Sequence, residues 1–165
     1  RLNNMPLIKY KTTLNLILLF SIFALACAYF IEFILGHQPC NLCLIERIPY
    51  FFSILIISLS FFFKKIEKIS LITLSIIFFS LTLISFYHFG IEQGFINESF
   101  VCGLGVENDG LTKESLLKQL KEAPISCKNV TFKILGLSLA TINIFISLML
   151  SIITIKLYFN YEKNK

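Results

Sequence analysis

Four of the five cysteines in this sequence form two pairs, and these pairs are its clearest candidates for chemically active residues. Cys40 and Cys43 form a C-x-x-C motif, whereas Cys102 and Cys127 lie farther along in a polar segment. The pattern is compatible with structural disulfides, a four-cysteine zinc site or thiol redox catalysis. Zinc is least favoured because only one pair is closely spaced, so we assign no metal ligand. Catalysis is favoured because an apolar stretch begins at the motif, and a helix N-terminus stabilises the reactive thiolate.

Arg47 adds a cation to the same segment. It lies four residues after Cys43 and seven after Cys40, so a regular helix places the three side chains on one face. A cation there would stabilise a Cys43 thiolate and an anionic oxygen on a bound ring, and arginine within a membrane helix indicates function. The alternatives are that Arg47 extends to the membrane interface or pairs with Glu46.

His88 and Cys27 are the other residues considered for the site. His88 ends an apolar stretch, and its ring could donate a hydrogen bond or a proton to an oxygen of the same bound molecule. The alternative for His88 is an interfacial histidine satisfied by Glu92. Cys27 is surrounded by apolar residues, so we expect it to be an inert, small hydrophobic side chain.

The composition indicates that membrane helices position these residues. The chain has 165 residues, of which 56% are hydrophobic and 15% charged, and its mean hydropathy is +0.77. Soluble domains usually carry about 25% charged residues. We therefore expect an all-α, four-helix transmembrane bundle forming one domain over 1–165, because four stretches reach the length that spans a bilayer. These stretches are about 13–35, 44–63, 69–89 and 134–157.

The basic residues predict the orientation of this bundle. Nine of the 15 fall in the N-terminal flank, in the link between the second and third spans, and in the C-terminal flank. The positive-inside rule then places both termini in the cytoplasm and all four paired cysteines outside, two in each outer loop. We read the net charge of +5 as this topology signal and expect no nucleic-acid partner. In the second outer loop, Thr112 could cap a short amphipathic helix lying on the membrane surface or, alternatively, in solvent.

Several segments together resemble one family. They are PCNLCLIER (39–47), YHFGIEQG (87–94), FKILGLSLA (132–140) and the loop pair Cys102 and Cys127. The sequence is similar in these segments to the DsbB family, the disulfide-bond-formation membrane proteins. The resemblance implies a four-helix bundle in the bacterial inner membrane, with cytoplasmic termini and redox loops in the periplasm.

The resemblance also implies a role for each paired cysteine. Cys102 corresponds to the residue attacked by the thiolate of a periplasmic, thioredoxin-like partner of the DsbA type. The released Cys127 would attack Cys40, and Cys43 would remain as the thiolate that engages a membrane quinone. The implied activity is quinone-dependent protein-disulfide oxidation, which supports disulfide formation and protein folding.

Arg47 and His88 match the family's quinone-site residues, and the implied cofactor is ubiquinone or menaquinone. Vitamin K epoxide reductase-like enzymes are a rival interpretation, because they also combine four spans with a C-x-x-C motif. A rival from another class is a non-catalytic membrane protein, either a disulfide-stapled bundle or a thiolate metal carrier. Catalytic pairs would change redox state when quinone and partner are added, whereas stapling pairs would stay oxidised.

Overall fold

A computed structural model describes residues 5–63, 66–97, 102, 127–128, 133–134 and 136–163. Its helices are α1 (Met5–Phe33), α2 (Asn41–Phe62), α3 (Glu67–Glu92) and α4 (Leu139–Lys163). All four are long and apolar enough to cross a membrane. The predicted all-α transmembrane bundle is therefore confirmed. The surface helix predicted after Thr112 lies outside the described residues.

The fourth helix begins later than the sequence predicts. A small antiparallel hairpin of β1 (Lys133–Ile134) and β2 (Leu137–Ser138) occupies the segment in which we expected the first helical turn. Gly136 has a φ of 83°, a left-handed conformation that glycine adopts without steric cost. Ser138 then caps α4, because its hydroxyl accepts a hydrogen bond of 3.2 Å from the backbone N–H of Thr141. The span thus starts at Leu139 rather than near residue 134.

Small polar side chains lie between the helices beside a core of buried apolar ones such as Phe78, and many other large apolar side chains face outwards. Ser21 of α1 and Ser53 of α2 are fully buried and share a hydrogen bond of 3.0 Å. Thr82 of α3 donates a bond of 2.9 Å to the fully buried Ser147 of α4. Within lipid, helices associate through close packing and hydrogen bonds rather than through burial of oily surface, so small residues suit the interfaces.

The alternating helix directions bring four chain ends together at one end of the bundle. They are the end of α1, the start of α2, the end of α3 and the start of α4. α3 packs most extensively against α4, and α2 packs against both α1 and α3. The helix α2 continues through Pro49, although proline lacks the N–H that would bond to the carbonyl of the preceding turn. The end that carries the C-x-x-C motif therefore receives side chains from all four helices.

Candidate functional site

Cys40 is the N-cap residue of α2. Its backbone is extended, with φ −72° and ψ 165°, and its sulfur accepts a hydrogen bond of 3.2 Å from the backbone N–H of Cys43. Cysteine here occupies the position that Ser, Thr, Asp or Asn fills in most helices. The predicted location of the C-x-x-C motif at a helix N-terminus is confirmed, and both sulfurs are unbonded thiols.

The ring of His88 lies against the Cys40 sulfur. The Nε2 atom of His88 is 3.5 Å from Cys40 Sγ, and only 3% of His88 and 6% of Cys40 are exposed. A hydrogen bond from the Cys43 thiol, and then one from His88, lower the pKa of Cys40 to about 4, although burial opposes this shift. The reduced pair therefore carries its negative charge on Cys40. Reasoning from Arg47 favoured a thiolate at Cys43 instead, and the Cys43 thiolate that the family resemblance implies would form only after Cys127 attacks Cys40.

Glu46 orients the histidine. Its Oε1 lies 2.9 Å from His88 Nδ1, so the N–H at Nδ1 donates a hydrogen bond to the carboxylate. The other ring nitrogen, Nε2, therefore faces Cys40. Nε2 can then give a proton to the Cys40 sulfur or take one from it. Glu92, which we considered as the partner of His88, is farther away, with its Oε1 3.7 Å from Nε2. Sequence reasoning missed this role of Glu46, which it considered only as a partner of Arg47.

Arg47 takes its partners from α1 instead. Its guanidinium forms an ion pair with Glu32 and lies 5.0 Å from the centre of the Tyr29 ring, close enough for a cation–π contact. The alternative pairing with Glu46 is thus wrong. Glu32 was missed in the sequence, although an acidic residue inside an apolar span is itself a signal of function.

Asn143 connects three helices beside the histidine. Its amide nitrogen donates to Glu46 Oε2 at 3.0 Å and to the hydroxyl of Ser85 at 2.9 Å. Its carbonyl oxygen accepts a bond of 2.6 Å from the hydroxyl of Tyr50. The carboxylate that holds His88 is therefore itself fixed from α4. Sequence reasoning missed Asn143. A polar amide side chain inside the fourth apolar span could have indicated it.

We expect Asn143→Leu to destabilise the protein by about 1–3 kcal/mol, because it leaves the buried Glu46 and Tyr50 groups without their partner. Thr82→Val is the matched control, since it removes the bond to Ser147 in the same helix pair without stranding a charged group. Hydrogen bonds between membrane helices average about 0.6 kcal/mol, so the control should cost less than 1 kcal/mol. Denaturation followed by circular dichroism in detergent measures both, and equal losses would contradict the role given to Asn143.

The structure brings the second cysteine pair to the first. Cys102 and Cys127 form a disulfide with a Cα–Cα distance of 5.9 Å, and their exposed fractions are 4% and 2%. Both pack into one apolar cluster with Cys40, and Cys43 lies against that cluster. Residues that stand about 60 to 90 positions apart in sequence thus share one small volume.

A cavity of about 350 Å³ opens beside these groups. Five of the six predicted site residues line it, namely Cys40, Cys43, Arg47, His88 and Cys127. Much of the remaining wall is apolar and comes from α1 and α4. The volume lies in the range of small-molecule sites, which are mostly apolar with a few polar groups. The arrangement combines a thiol pair, a proton-carrying histidine and a cation around a slot that suits an apolar ring.

Comparisons with known proteins identify the family of this chain. The sequence model of the family described as Disulfide bond formation protein DsbB matches residues 10–157. A protein of Rickettsia prowazekii (strain Madrid E), called Uncharacterized protein RP370, is 33% identical over 160 residues, which cover 95% of this chain and 92% of the relative. No solved structure matches the chain significantly. With its four membrane-spanning helices and its paired cysteines, the chain belongs to the DsbB family of membrane disulfide bond formation proteins.

Proposed function

We propose that this protein oxidises a periplasmic, DsbA-like thiol partner and passes the electrons to a membrane quinone. The whole chain acts as a single domain in this reaction. The observation that carries the proposal is the cavity, which is lined by both cysteines of the C-x-x-C motif and by Cys127. If the Cys102–Cys127 disulfide only stabilised the second loop, it would not need to lie beside a second, reactive thiol pair. The net reaction converts a partner dithiol and a quinone into a partner disulfide and a quinol.

The relay begins with the C-x-x-C motif oxidised. A partner thiolate attacks Cys102, which breaks the Cys102–Cys127 bond and releases Cys127 as a thiolate. Cys127 attacks Cys40, which breaks the Cys40–Cys43 bond and leaves Cys43 as the thiolate. The partner's second thiol then forms the partner disulfide and frees Cys102, which attacks Cys127 and restores the loop disulfide. Two electrons have then reached Cys40 and Cys43, which are left as a dithiol.

The residues around the cavity fit a quinone. Its apolar walls suit the ring and the start of an isoprenoid tail, and Arg47 and His88 both line it with groups that donate to oxygen. A bound quinone would supply the two-electron oxidising power that thiols alone lack. Arg47, held by Glu32, is positioned to stabilise negative charge on a ring oxygen.

His88 takes up the proton that Cys40 loses when it becomes the thiolate of the reduced motif. Its Nε2 is 3.5 Å from the sulfur, and Glu46 on Nδ1 stabilises the charged ring that results. A positive charge on His88 in turn favours the Cys40 thiolate, which is the form that can bond to another sulfur. The pair of Glu46 and His88 thus keeps Cys40 in its charged form until the motif is reoxidised.

The distribution of basic residues supports the orientation that this function needs. Lys11, Lys68 and Lys163 lie at the end of the bundle opposite the cysteines, which the positive-inside rule assigns to the cytoplasm. The cysteines then lie at the periplasmic face of a bacterial inner membrane. This compartment is oxidising, so disulfides form and persist there.

The proposal is tested by purified protein in detergent, mixed with a short-chain ubiquinone or menaquinone and an excess of a reduced thioredoxin-fold partner. We expect one quinone to be reduced for each partner disulfide formed, over many turnovers per chain. Quinone absorbance and partner thiol titration follow the two sides of the reaction. If both cysteine pairs stayed in one redox state throughout, the protein would instead be a disulfide-stapled bundle.

A further inference from the structure

Three potential metal ligands converge where the two thiols meet the histidine. The sulfurs of Cys40 and Cys43 and a ring nitrogen of His88 all lie within 4.8 Å of one another. Two of the three residues are buried and the third is partly buried. Thiolate and imidazole are the ligands that Zn²⁺ prefers, and three protein ligands already define a zinc site. The sequence offered no such set, because His88 is distant from the motif in the chain.

The spacing of these atoms fits tetrahedral coordination. With a Zn–S bond of about 2.3 Å and a Zn–N bond of about 2.0 Å, the two ligand atoms stand about 3.5 Å apart at the tetrahedral angle. The observed distance between Cys40 Sγ and His88 Nε2 is 3.5 Å. A metal ion could therefore be bound between them without moving either residue.

The surroundings of His88 match those of a metal ligand. Its other ring nitrogen bonds to Glu46 at 2.9 Å. Zinc-bound histidines commonly donate this second N–H to a carboxylate, which fixes the tautomer and raises the basicity of the ligating nitrogen. Nε2 is thus the nitrogen left available to a metal, and it is the one that faces the sulfur.

Glu92 provides an independent indication. Its side chain is only 6% exposed, and its Oε1 lies 3.7 Å from His88 Nε2. Its Oε2 is buried and has no hydrogen-bond partner among the described residues, although Glu92 lines the same cavity. A buried carboxylate oxygen without a partner is costly, and a cation would satisfy it. Carboxylate oxygen is also an accepted zinc ligand.

We propose that the reduced site binds one Zn²⁺ ion through Cys40, Cys43 and His88, while the Glu92 carboxylate beside His88 neutralises part of the ion's charge. Binding is limited to the reduced state, because a Cys40–Cys43 disulfide offers no thiolate. The zinc site shares these residues with the proposed electron transfer, but the zinc proposal does not depend on that function, because it rests on the ligand geometry and on the buried Glu92 carboxylate. Where quinone-linked turnover does occur, zinc would inhibit it by occupying the sulfurs and the cavity, and a chelator would reverse the inhibition.

The test uses Co²⁺ as a spectroscopic substitute and Zn²⁺ as its competitor. Full-length protein carrying Cys102→Ser and Cys127→Ser is reduced, so that the loop cysteines cannot bind metal. We expect one Co²⁺ per chain, with thiolate-to-cobalt charge-transfer bands that Zn²⁺ abolishes. The same protein with its C-x-x-C oxidised should show none of these bands.

Single substitutions identify the ligands. Loss of an outer-shell partner of a zinc site lowers metal affinity by roughly 10- to 100-fold, so removing a ligand through Cys43→Ser or His88→Asn should cost at least that much. Cys27→Ser is the matched control, because Cys27 lines the same cavity but lies outside the ligand cluster. It should leave the affinity unchanged. Metal binding that persists in the oxidised protein, or that is unaffected by both ligand substitutions, would overturn the proposal.

Discussion

Replacing Cys43 with serine is expected to abolish quinone-linked turnover while one exchange with the partner survives. Serine cannot form the Cys40–Cys43 disulfide, so the thiolate of Cys127 has no bond to attack. The loop disulfide remains and can oxidise one partner molecule, after which the electrons have no exit. We expect the steady-state rate to fall by roughly a thousandfold or more, the scale seen when an enzyme loses a covalent nucleophile.

The measurement separates these two outcomes by stoichiometry. Reduced partner is mixed with the variant and excess quinone, and both partner thiols and quinone absorbance are followed. The variant should oxidise one equivalent of partner per chain in a burst and reduce no quinone. Cys27→Ser is again the control, since it removes a thiol from the same cavity and should turn over normally. Sustained turnover by Cys43→Ser would show that the proposed electron path is wrong.

The sequence predicted the architecture because two simple signals dominate it. Long apolar stretches specify membrane helices, and the C-x-x-C motif placed before one of them predicts cysteines at a helix N-terminus. The structure has both features, with Cys40 as the N-cap of α2. Helix starts were less predictable where a turn interrupts an apolar run. The hairpin before α4 is such a case. Leu137 lies in a strand and Leu139 begins the helix, but both belong to the same apolar run, so the sequence does not show that the helix starts after Ser138.

The pairing of polar side chains could not be predicted, because it depends on how the helices are rotated against one another. Glu46 and Arg47 are neighbours in the chain, yet they point to different helices. Glu46 faces His88 of α3 and Asn143 of α4, whereas Arg47 faces Glu32 of α1. Consecutive residues on a helix project about 100° apart, so adjacent charges seldom share a partner.

This division gives the two charged residues different expected functions. Glu46 acts on the thiol side of the cavity through the histidine that lies against Cys40. Arg47 acts on the side formed by α1, where its guanidinium is held between Glu32 and the Tyr29 ring. The electron donor and the proposed acceptor therefore have separate electrostatic partners. Substitutions on the two sides should be separable in kinetics.

Replacing Arg47 with alanine is accordingly expected to weaken quinone use and to leave thiol exchange at Cys102 intact. A hydrogen bond to a charged group is worth about 1.5–3 kcal/mol, which corresponds to an increase of roughly 10- to 100-fold in the quinone concentration needed for half-maximal rate. Cys102 is not among the residues that line the cavity. The rate at which the partner forms its mixed disulfide should therefore stay within about twofold of the original, the spread ordinary for a surface change.

The substitution also strands Glu32, whose carboxylate would lose its cation inside the membrane, so a second variant is needed to interpret it. Arg47→Ala combined with Glu32→Gln removes both charges and isolates the loss of the arginine from the cost of an unpaired carboxylate. If the double variant still requires more quinone, the guanidinium itself binds the ring. If it recovers the original quinone dependence, Arg47 serves only to neutralise Glu32. Equal slowing of quinone reduction and thiol exchange in either variant would instead indicate that Arg47 holds the bundle together, because a shared structural defect affects both ends of the relay alike.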